Sequence, residues 1–213
     1  MMRILTLNTW QEKGPWQDRW EVIFKGLEDY DPDFICWQEI FNPEWAREIQ
    51  KRSGLRHMFF PSEPSGLMIL SHFPLGKTSC LTMKTQSPTE EYKRYALFAE
   101  LEVGESPLAI FNTHLSWRPD EGKIREKQVL ELLQFIDENT DRHEVLVTGD
   151  FNAPSDTPEI EMMKTQGGFD DAYTLLYEEQ GFQGLTWDNE NPYVREASVR
   201  LPDRRIDYIF FSN

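Results

Sequence analysis

The segment Val145 to Asn152, Val-Leu-Val-Thr-Gly-Asp-Phe-Asn, constrains the fold more than any other. Val145, Leu146 and Val147 form a short apolar, β-rich run, and Gly149 frees the backbone to leave the strand just before a carboxylate. The reading is a buried strand whose carboxyl end presents Asp150 and Asn152. In an open α/β sheet that edge is where ligands bind, because its loops meet solvent yet are anchored on a rigid scaffold. An ordinary polar turn would satisfy the same residues, so function has to be sought in what accompanies them.

What accompanies them is a second passage of the same kind. Residues 2–8 alternate toward Asn8-Thr9-Trp10, and Trp16, Trp20, Ile23, Phe24 and Leu27 then share one face of a helix over 16–29. Asp31-Pro32-Asp33 breaks that helix, and Phe34-Ile-Cys-Trp37 is a buried strand delivering Gln38-Glu39. Asn42-Pro43 starts another helix, proline being favourable in a first turn. Residues 66–71, 76–83 and 94–103 read as strands, with a polar loop at 84–93. Leu108 to Phe111 is a further strand ending in Asn112-Thr-His-Leu115, and an amphipathic helix over 122–138 carries Val129, Leu132, Leu133 and Ile136. Both passages run strand, Asn-Thr-aromatic turn, helix, strand, acidic turn, the first leading to Glu39 and the second to Asp150. Stacked as pseudo-symmetric halves, they would bring all four turns to one edge.

Beyond Asn152, Thr157 is expected to cap a helix begun by Pro158. Asp170 and Asp171 read as a helix cap or as a pair of site residues. Asp207 lies in a strand from Arg205 to Phe211, and a carboxylate among apolar residues needs a partner.

Length and charge narrow the function. The 213 residues suit a single domain, 1–213, and no apolar run is long enough to span a bilayer. A formal charge of −15 disfavours nucleic acid held on a broad phosphate-binding surface, while leaving a small anionic substrate possible. Lys84, Lys93, Arg94, Arg200, Arg204 and Arg205 could still supply a local basic site. Cys36 and Cys80 sit in apolar runs and read as buried, reduced thiols, which excludes a zinc-thiolate centre. With a strand starting almost at the initiator, the expectation is that the sequence carries no signal peptide, unless one was removed, and that the location is cytoplasmic.

Taken in order, Asn8, Gln38-Glu39, Ile69-Leu-Ser71, Asn112-Thr-His-Leu115, Gly149-Asp-Phe-Asn152 and Arg205-Ile-Asp207 resemble the motifs of the endonuclease/exonuclease/phosphatase family. These are metal-dependent phosphoesterases related to pancreatic deoxyribonuclease, apurinic endonucleases and bacterial sphingomyelinases. The resemblance implies a four-layer α/β sandwich, two mixed sheets flanked by helices, and attack of an activated water on phosphorus assisted by Mg²⁺ or Mn²⁺. It implies Glu39 as metal ligand with Asn8 beside it, Asp150 activating or aligning the water, and Asn152 holding a phosphate oxygen. His114 would donate to another phosphate oxygen, its ionised form stabilising the transition state. Arg94, Asn112 and Trp187 are the expected substrate contacts, and Asp207 resembles the acid that orients a general-base histidine. One departure is that no Ser-Asp-His run follows Asp207, so a truncated, impaired polypeptide is expected, with His57, His72 or His143 the competing occupants of the vacant place.

Trp10, Trp117 and Trp187 each flank one of these turns and could stack on a substrate or close the core. With the acidic charge they favour a small, aromatic-bearing or lipid-like phosphate ester. The rivals are a DNA- or RNA-end-processing enzyme, which the Thr186-Trp-Asp188 run resembles in its tyrosyl-DNA phosphodiesterase form, and a non-catalytic phosphate-binding module. Oligomeric state is open.

Overall fold

The computed structural model describes residues 2–104, 106–140, 144–177, 184–195 and 200–212. His143, one of the three competing histidines, lies outside them. A parallel pair, β1 (Ile4–Asn8) and β2 (Phe34–Gln38), is joined through α1 (Trp16–Tyr30). After α2 (Pro43–Ser53), the strands β3 (His57–Phe59) and β4 (Met68–Ser71) complete a four-stranded sheet in the order β1-β2-β4-β3. The second sheet starts with the antiparallel strands β5 (Leu75–Thr82), β6 (Tyr95–Leu101) and β7 (Leu108–His114). Helix α3 (Gly122–Asn139) then leads to β8 (Val145–Asp150), parallel to β7. Helix α4 (Pro158–Thr165), β9 (Phe169–Asp171), α5 (Ala172–Tyr177), α6 (Pro192–Arg195) and β10 (Asp207–Ser212) follow, and the six strands lie in the order β5-β6-β7-β8-β10-β9.

The period of two along each strand builds the layers, because alternate side chains face opposite sides of a sheet. In β2 and β4, Ile35, Trp37, Met68 and Leu70 pack with Trp20, Phe24 and Leu27 of α1 and Ala46 and Ile49 of α2. Their neighbours Phe34, Cys36 and Ile69 join Leu97, Ala99 and Ile110 between the two sheets. On the far side, Phe98, Phe111, Val147 and Phe210 meet Val129, Leu132 and Ile136 of α3 and Ile160 and Met163 of α4. Three apolar interfaces therefore separate helix, sheet, sheet and helix, which is the four-layer sandwich.

The layer between the sheets changes character along the strands. At one end it holds Ile4, Phe34, Cys36, Ile110 and Leu146. One step along, polar groups enter: Gln38 Nε2 donates to Thr6 Oγ1 (3.0 Å) and Asn112 Oδ1 (2.8 Å), and Thr148 Oγ1 donates to Phe111 O (3.2 Å). The strands then end in Asn8, His114 and Asp150. The alternation that buries the apolar side chains is thus what aims the polar ones into one cleft.

Several local expectations need correcting. Strand β8 does not break at Gly149, which pairs with Thr113 on β7 and Tyr208 on β10. With φ at 141° and a Cβ that would lie 2.0 Å from Thr113 O, glycine is required there for close approach of β7. Thr157 precedes α4, but its hydroxyl donates to Pro154 O (2.8 Å) and makes no cap bond to the helix. Asn42 does cap α2, its Oδ1 accepting from Glu44 N and Trp45 N. The two halves are also out of step: Asn8 is opposite Gln38 at the end of β1, whereas Asn112 faces Thr148, and it is His114 that stands opposite Asp150.

Candidate active site

Asn8 ties the two sheets together at the cleft. Its Nδ2 donates to Glu39 Oε1 at 3.1 Å and to Asp150 Oδ2 at 3.0 Å, while its Oδ1 accepts from Trp10 N at 2.9 Å. That last bond fixes the orientation of the amide, since a backbone N–H needs an oxygen opposite it. Asn8 therefore shows its NH₂ to the carboxylates, and its oxygen accepts from Trp10 N with one lone pair still free. Glu39 and Asn152 both hold positive φ, 65° and 51°, an uncommon region for residues other than glycine that concentrates at functional sites.

Asp150 is buried and well held. Its Oδ1 accepts from Asn152 N (2.9 Å), and Asn152 Nδ2 donates to Leu115 O (3.0 Å). Asp207 is its direct cross-strand partner. Two carboxylates facing one another across a strand pair cannot both ionise freely. Burial pushes Asp150 up to about 6, with Glu39 adding to the effect and Asn8, Asn152 and Arg94 opposing it. Asp207 is raised well above the ordinary range, by burial first and Asp150 second, against the Thr186 hydrogen bond and Arg205. The partner its sequence setting demanded is thus Thr186, whose hydroxyl also receives Asp207 N at 3.3 Å.

His114 Nε2 is 3.7 Å from Asp150 Oδ2, too long for a hydrogen bond. Burial, with Arg94 adding, lowers its proton affinity well below the usual value, which favours a neutral imidazole in the unliganded cleft. Arg94 is buried and its Nε donates to Glu90 Oε2 at 2.7 Å. The same Glu90 accepts from Trp117 N at 2.6 Å, so the cation and the indole-bearing turn are held by one carboxylate.

Not every expected residue reaches the cleft. Asn112 is fully buried, with Nδ2 donating to Trp37 O (2.9 Å) and Met68 O (3.2 Å) and Oδ1 taken by Gln38. It clamps the sheets together and offers no free donor to a substrate. His57 and Ser71 pair at the end of the four-stranded sheet where Ser71 faces Phe34, and His72 N donates to Asp33 O. Both histidines therefore lie at the edge away from Glu39, and neither fills a place beside Asp207. Asp171 turns out to cap: it accepts from Tyr173 N and Thr174 Oγ1 at the start of α5 and pairs with Arg205. Asp170 has interactions of its own elsewhere.

Aromatic side chains rim the cleft. Trp10 and Trp117 are each 38% exposed, and Trp10 packs on Tyr193 of α6 at 5.6 Å between ring centroids. Phe41, just after Glu39, stacks on Tyr92 at 4.6 Å. Trp187 is half-buried and paired through its backbone with Arg204. A cavity of about 330 Å³ opens elsewhere, among Met2, Val103, Leu108, Leu146 and Phe211, at the opposite ends of the strands.

The donor set bears on which cation the cleft could hold. Among the described residues no group of three or more His, Cys, Asp and Glu converges as a metal cage. The cleft does hold the carboxylates of Glu39 and Asp150 side by side, and Glu39 Oε2 is buried with no hydrogen-bond partner. Mg²⁺ takes hard oxygen ligands, often only one or two carboxylates, and keeps waters for its remaining positions. The residues present fit an ion of that kind, and they do not fit zinc.

A four-layer α/β sandwich with a carboxylate and amide cluster at the strand ends defines a class of proteins in which chemistry is confined to one edge. The sequence profile of the Endonuclease/Exonuclease/phosphatase family matches residues 5–213, and the chain belongs to that family. Nocturnin of Rattus norvegicus is 26% identical over 219 residues, which cover 92% of this chain and 49% of the relative. Tyrosyl-DNA phosphodiesterase 2 of Gallus gallus is 24% identical over 213 residues, 97% of this chain and 56% of that protein. The chain spans about half the length of these curated relatives. The human nocturnin catalytic domain with bound sulfate superposes with a TM-score of 0.75 at 22% identity, covering 99% of this chain and 82% of that one. A hairpin-deletion mutant of the Staphylococcus aureus beta toxin gives a TM-score of 0.81 at 16% identity, covering 99% and 86%. These likenesses establish the fold. Among the described residues no helix is long and apolar enough to cross a membrane.

Proposed function

We propose that the protein is a phosphoester hydrolase that uses Mg²⁺ or Mn²⁺ at Glu39 and directs water onto phosphorus. The observation that carries this reading is the Asn8 amide held between Glu39 and Asp150, with the buried, partnerless Glu39 Oε2 beside it. A bound ion would neutralise charge building on the phosphate oxygens and orient the leaving group. Asn8 keeps two like charges apart and aligns Glu39 toward the ion. Asp150, with an affinity for protons near neutrality, can align a water and take its proton as the oxygen attacks. Neutral His114 donates one hydrogen bond to a phosphate oxygen, and Asn152 offers an uncharged donor to another. Burial, with Glu39 adding to it, keeps Asp150 basic enough for that role, and Asp207 lies beside it as its cross-strand partner.

The substrate favoured is a small phosphate ester with an aromatic or lipid-like arm. The rim of Trp10, Tyr193, Phe41, Tyr92 and Trp117 offers stacking surface, whereas a net charge of −15 repels a long polyanion. A second reading, hydrolysis at the end of a nucleic acid strand, draws on the D. rerio TDP2 structure complexed with single strand DNA product, whose fold matches with a TM-score of 0.76. A few phosphate contacts plus base stacking would suffice for that substrate without a basic track. Turnover of a panel of phosphate monoesters, diesters and short single-stranded DNA, each with Mg²⁺ and with EDTA, decides between them. Faster product release from DNA than from every small ester would put the strand-end reading first. Ligand binding without metal-dependent turnover would instead leave a phosphate-binding module.

A further inference from the structure

Arg204, like Arg19 and Arg118, has a buried Nε without a hydrogen-bond partner, in contrast to the arginines held by carboxylates. Arg3 pairs with Asp31, Arg52 with Glu21, Arg94 with Glu90, Arg125 with Glu159 and Arg205 with Asp171. Arg204 has no such carboxylate among the described residues, in a sequence with 37 Asp and Glu against 22 Lys and Arg. Its place is nevertheless fixed. Arg204 N donates to Trp187 O and Trp187 N donates to Arg204 O, both at 2.9 Å, in an isolated antiparallel bridge. The guanidinium lies over the indole at 5.8 Å from its centroid, and Nε is buried without a hydrogen-bond partner.

The bridge leads directly into the site. Thr186, next to Trp187, receives Ile206 N and Asp207 N, and Asp207 pairs with Asp150. Across the sheet Arg94 precedes β6 and Arg204 precedes β10, so the two cations flank His114 and Asp150 from opposite sides. Arg94 is already neutralised by Glu90, and Arg204 is not. Burial lowers the proton affinity of Arg204, Arg125 adds to this, and the charge of Asp150 offsets it only in part. An unmet, partly desolvated guanidinium is unfavourable on its own and is relieved by an anion.

We propose that Arg204, seated on Trp187, is a further substrate-binding residue that donates to a non-bridging phosphate oxygen of a phosphodiester substrate. This rests on the phosphoester reading of the cleft. Arginine suits the place because its planar fork meets a phosphate with two donors while its face lies on an aromatic ring, which lysine cannot reproduce.

The test is equilibrium binding, by calorimetry, of thymidine 5′-(p-nitrophenyl phosphate) with Ca²⁺ in place of Mg²⁺, together with turnover in Mg²⁺. Arg204→Met keeps an apolar stem on Trp187 without charge, Arg204→Lys keeps charge without the fork, and Arg3→Gln removes one charge far from the cleft. Arg204→Met is expected to weaken binding about tenfold or more, Arg204→Lys by a smaller factor, and Arg3→Gln not at all. Binding by Arg204→Met within about twofold of the unmodified protein overturns the proposal, as does equal weakening by Arg3→Gln, which would mark bulk charge. Should Arg204→Met melt early, Arg204→Lys decides, and binding equal to the unmodified protein counts against the contact. Turnover without any Arg204 dependence removes this inference alone. Arg204-dependent binding without turnover removes the catalytic reading alone, and absence of both removes the two together.

Discussion

Asn8 and Asp150, 142 positions apart in the chain, are joined by a 3.0 Å hydrogen bond that crosses from one β-sheet to the other. The same NH₂ group reaches Glu39, so a single uncharged side chain sets the spacing of two carboxylates. Removing it leaves them facing one another with less to hold them. Asn8→Ala is expected to cost about 1.5–3 kcal/mol in EDTA, the range for hydrogen bonds to charged groups. Addition of Mg²⁺ should recover part of that loss by neutralising the pair. Urea denaturation with and without Mg²⁺ measures both effects, and an unchanged midpoint in EDTA would show that the bridge has no energetic weight.

The raised carboxylates set a pH dependence. A group whose folded pKa is raised contributes stability that is fully present below its unfolded value, about 3.9 for Asp, and is lost as pH rises through the folded value. Asp150 at about 6 and Asp207, also raised, therefore make the metal-free protein less stable as the solution passes from mildly acidic to mildly alkaline. His114, with its proton affinity lowered, works the other way and loses stability on acidification. Asp207→Asn removes the carboxylate contribution and leaves the histidine, so the difference between the two proteins isolates it. The variant is expected to melt higher than the unmodified protein at about pH 8, with the gap closing toward about pH 5. A lower melting temperature for Asp207→Asn at the alkaline end would contradict the shifts.

Two glycine substitutions should have opposite signs. Gly149→Ala would drive a Cβ to 2.0 Å from Thr113 O at a φ of 141° and force β7 and β8 apart beneath His114 and Asp150. A loss above about 4 kcal/mol is expected, in the exceptional range for single changes. Gly26→Ala, in the interior of α1 with open space around its Cβ, should stabilise by about 0.5–1 kcal/mol. Thermal denaturation of both proteins checks the pair.

Asn112→Ala separates clamping from substrate binding. The change strips partners from Gln38, Trp37 O and Met68 O in a dry layer, at an expected cost of about 2–4 kcal/mol. Among molecules that remain folded, KM should be unchanged. A raised KM at unchanged stability would make Asn112 a substrate contact after all.

The ends of the strands were legible in the sequence because an apolar run followed by Glu39 or Asp150 marks both the strand and what it delivers. The apolar faces of the helices over 16–29 and 122–138 were legible too, and Trp20, Phe24, Leu27, Val129, Leu132, Leu133 and Ile136 are buried. Strand β3 was not legible, since His57-Met-Phe59 is too short to show a period and is paired only through β4. The echo of Asn8 in Asn112 misled because register between two halves is a property of pairing, which no single segment encodes. Asp171 found Arg205 across 34 residues, and only the packed structure reveals that pair. The lowered proton affinity of His114 likewise comes from burial, which residue type alone does not state.

The most direct test of the site is hydrolysis of thymidine 5′-(p-nitrophenyl phosphate) by the unmodified protein and by Glu39→Gln, titrated with Mg²⁺ after EDTA treatment. Glu39→Gln keeps the side-chain shape while removing the charge an ion needs. The expected result is release of p-nitrophenolate that depends on Mg²⁺ in the unmodified protein, and a loss of about 100-fold or more in kcat/KM for the variant, about 2.7 kcal/mol of transition-state stabilisation. Release at equal rates with Mg²⁺ and with EDTA, or a Glu39→Gln variant as active as the unmodified protein, would contradict a divalent cation working at Glu39.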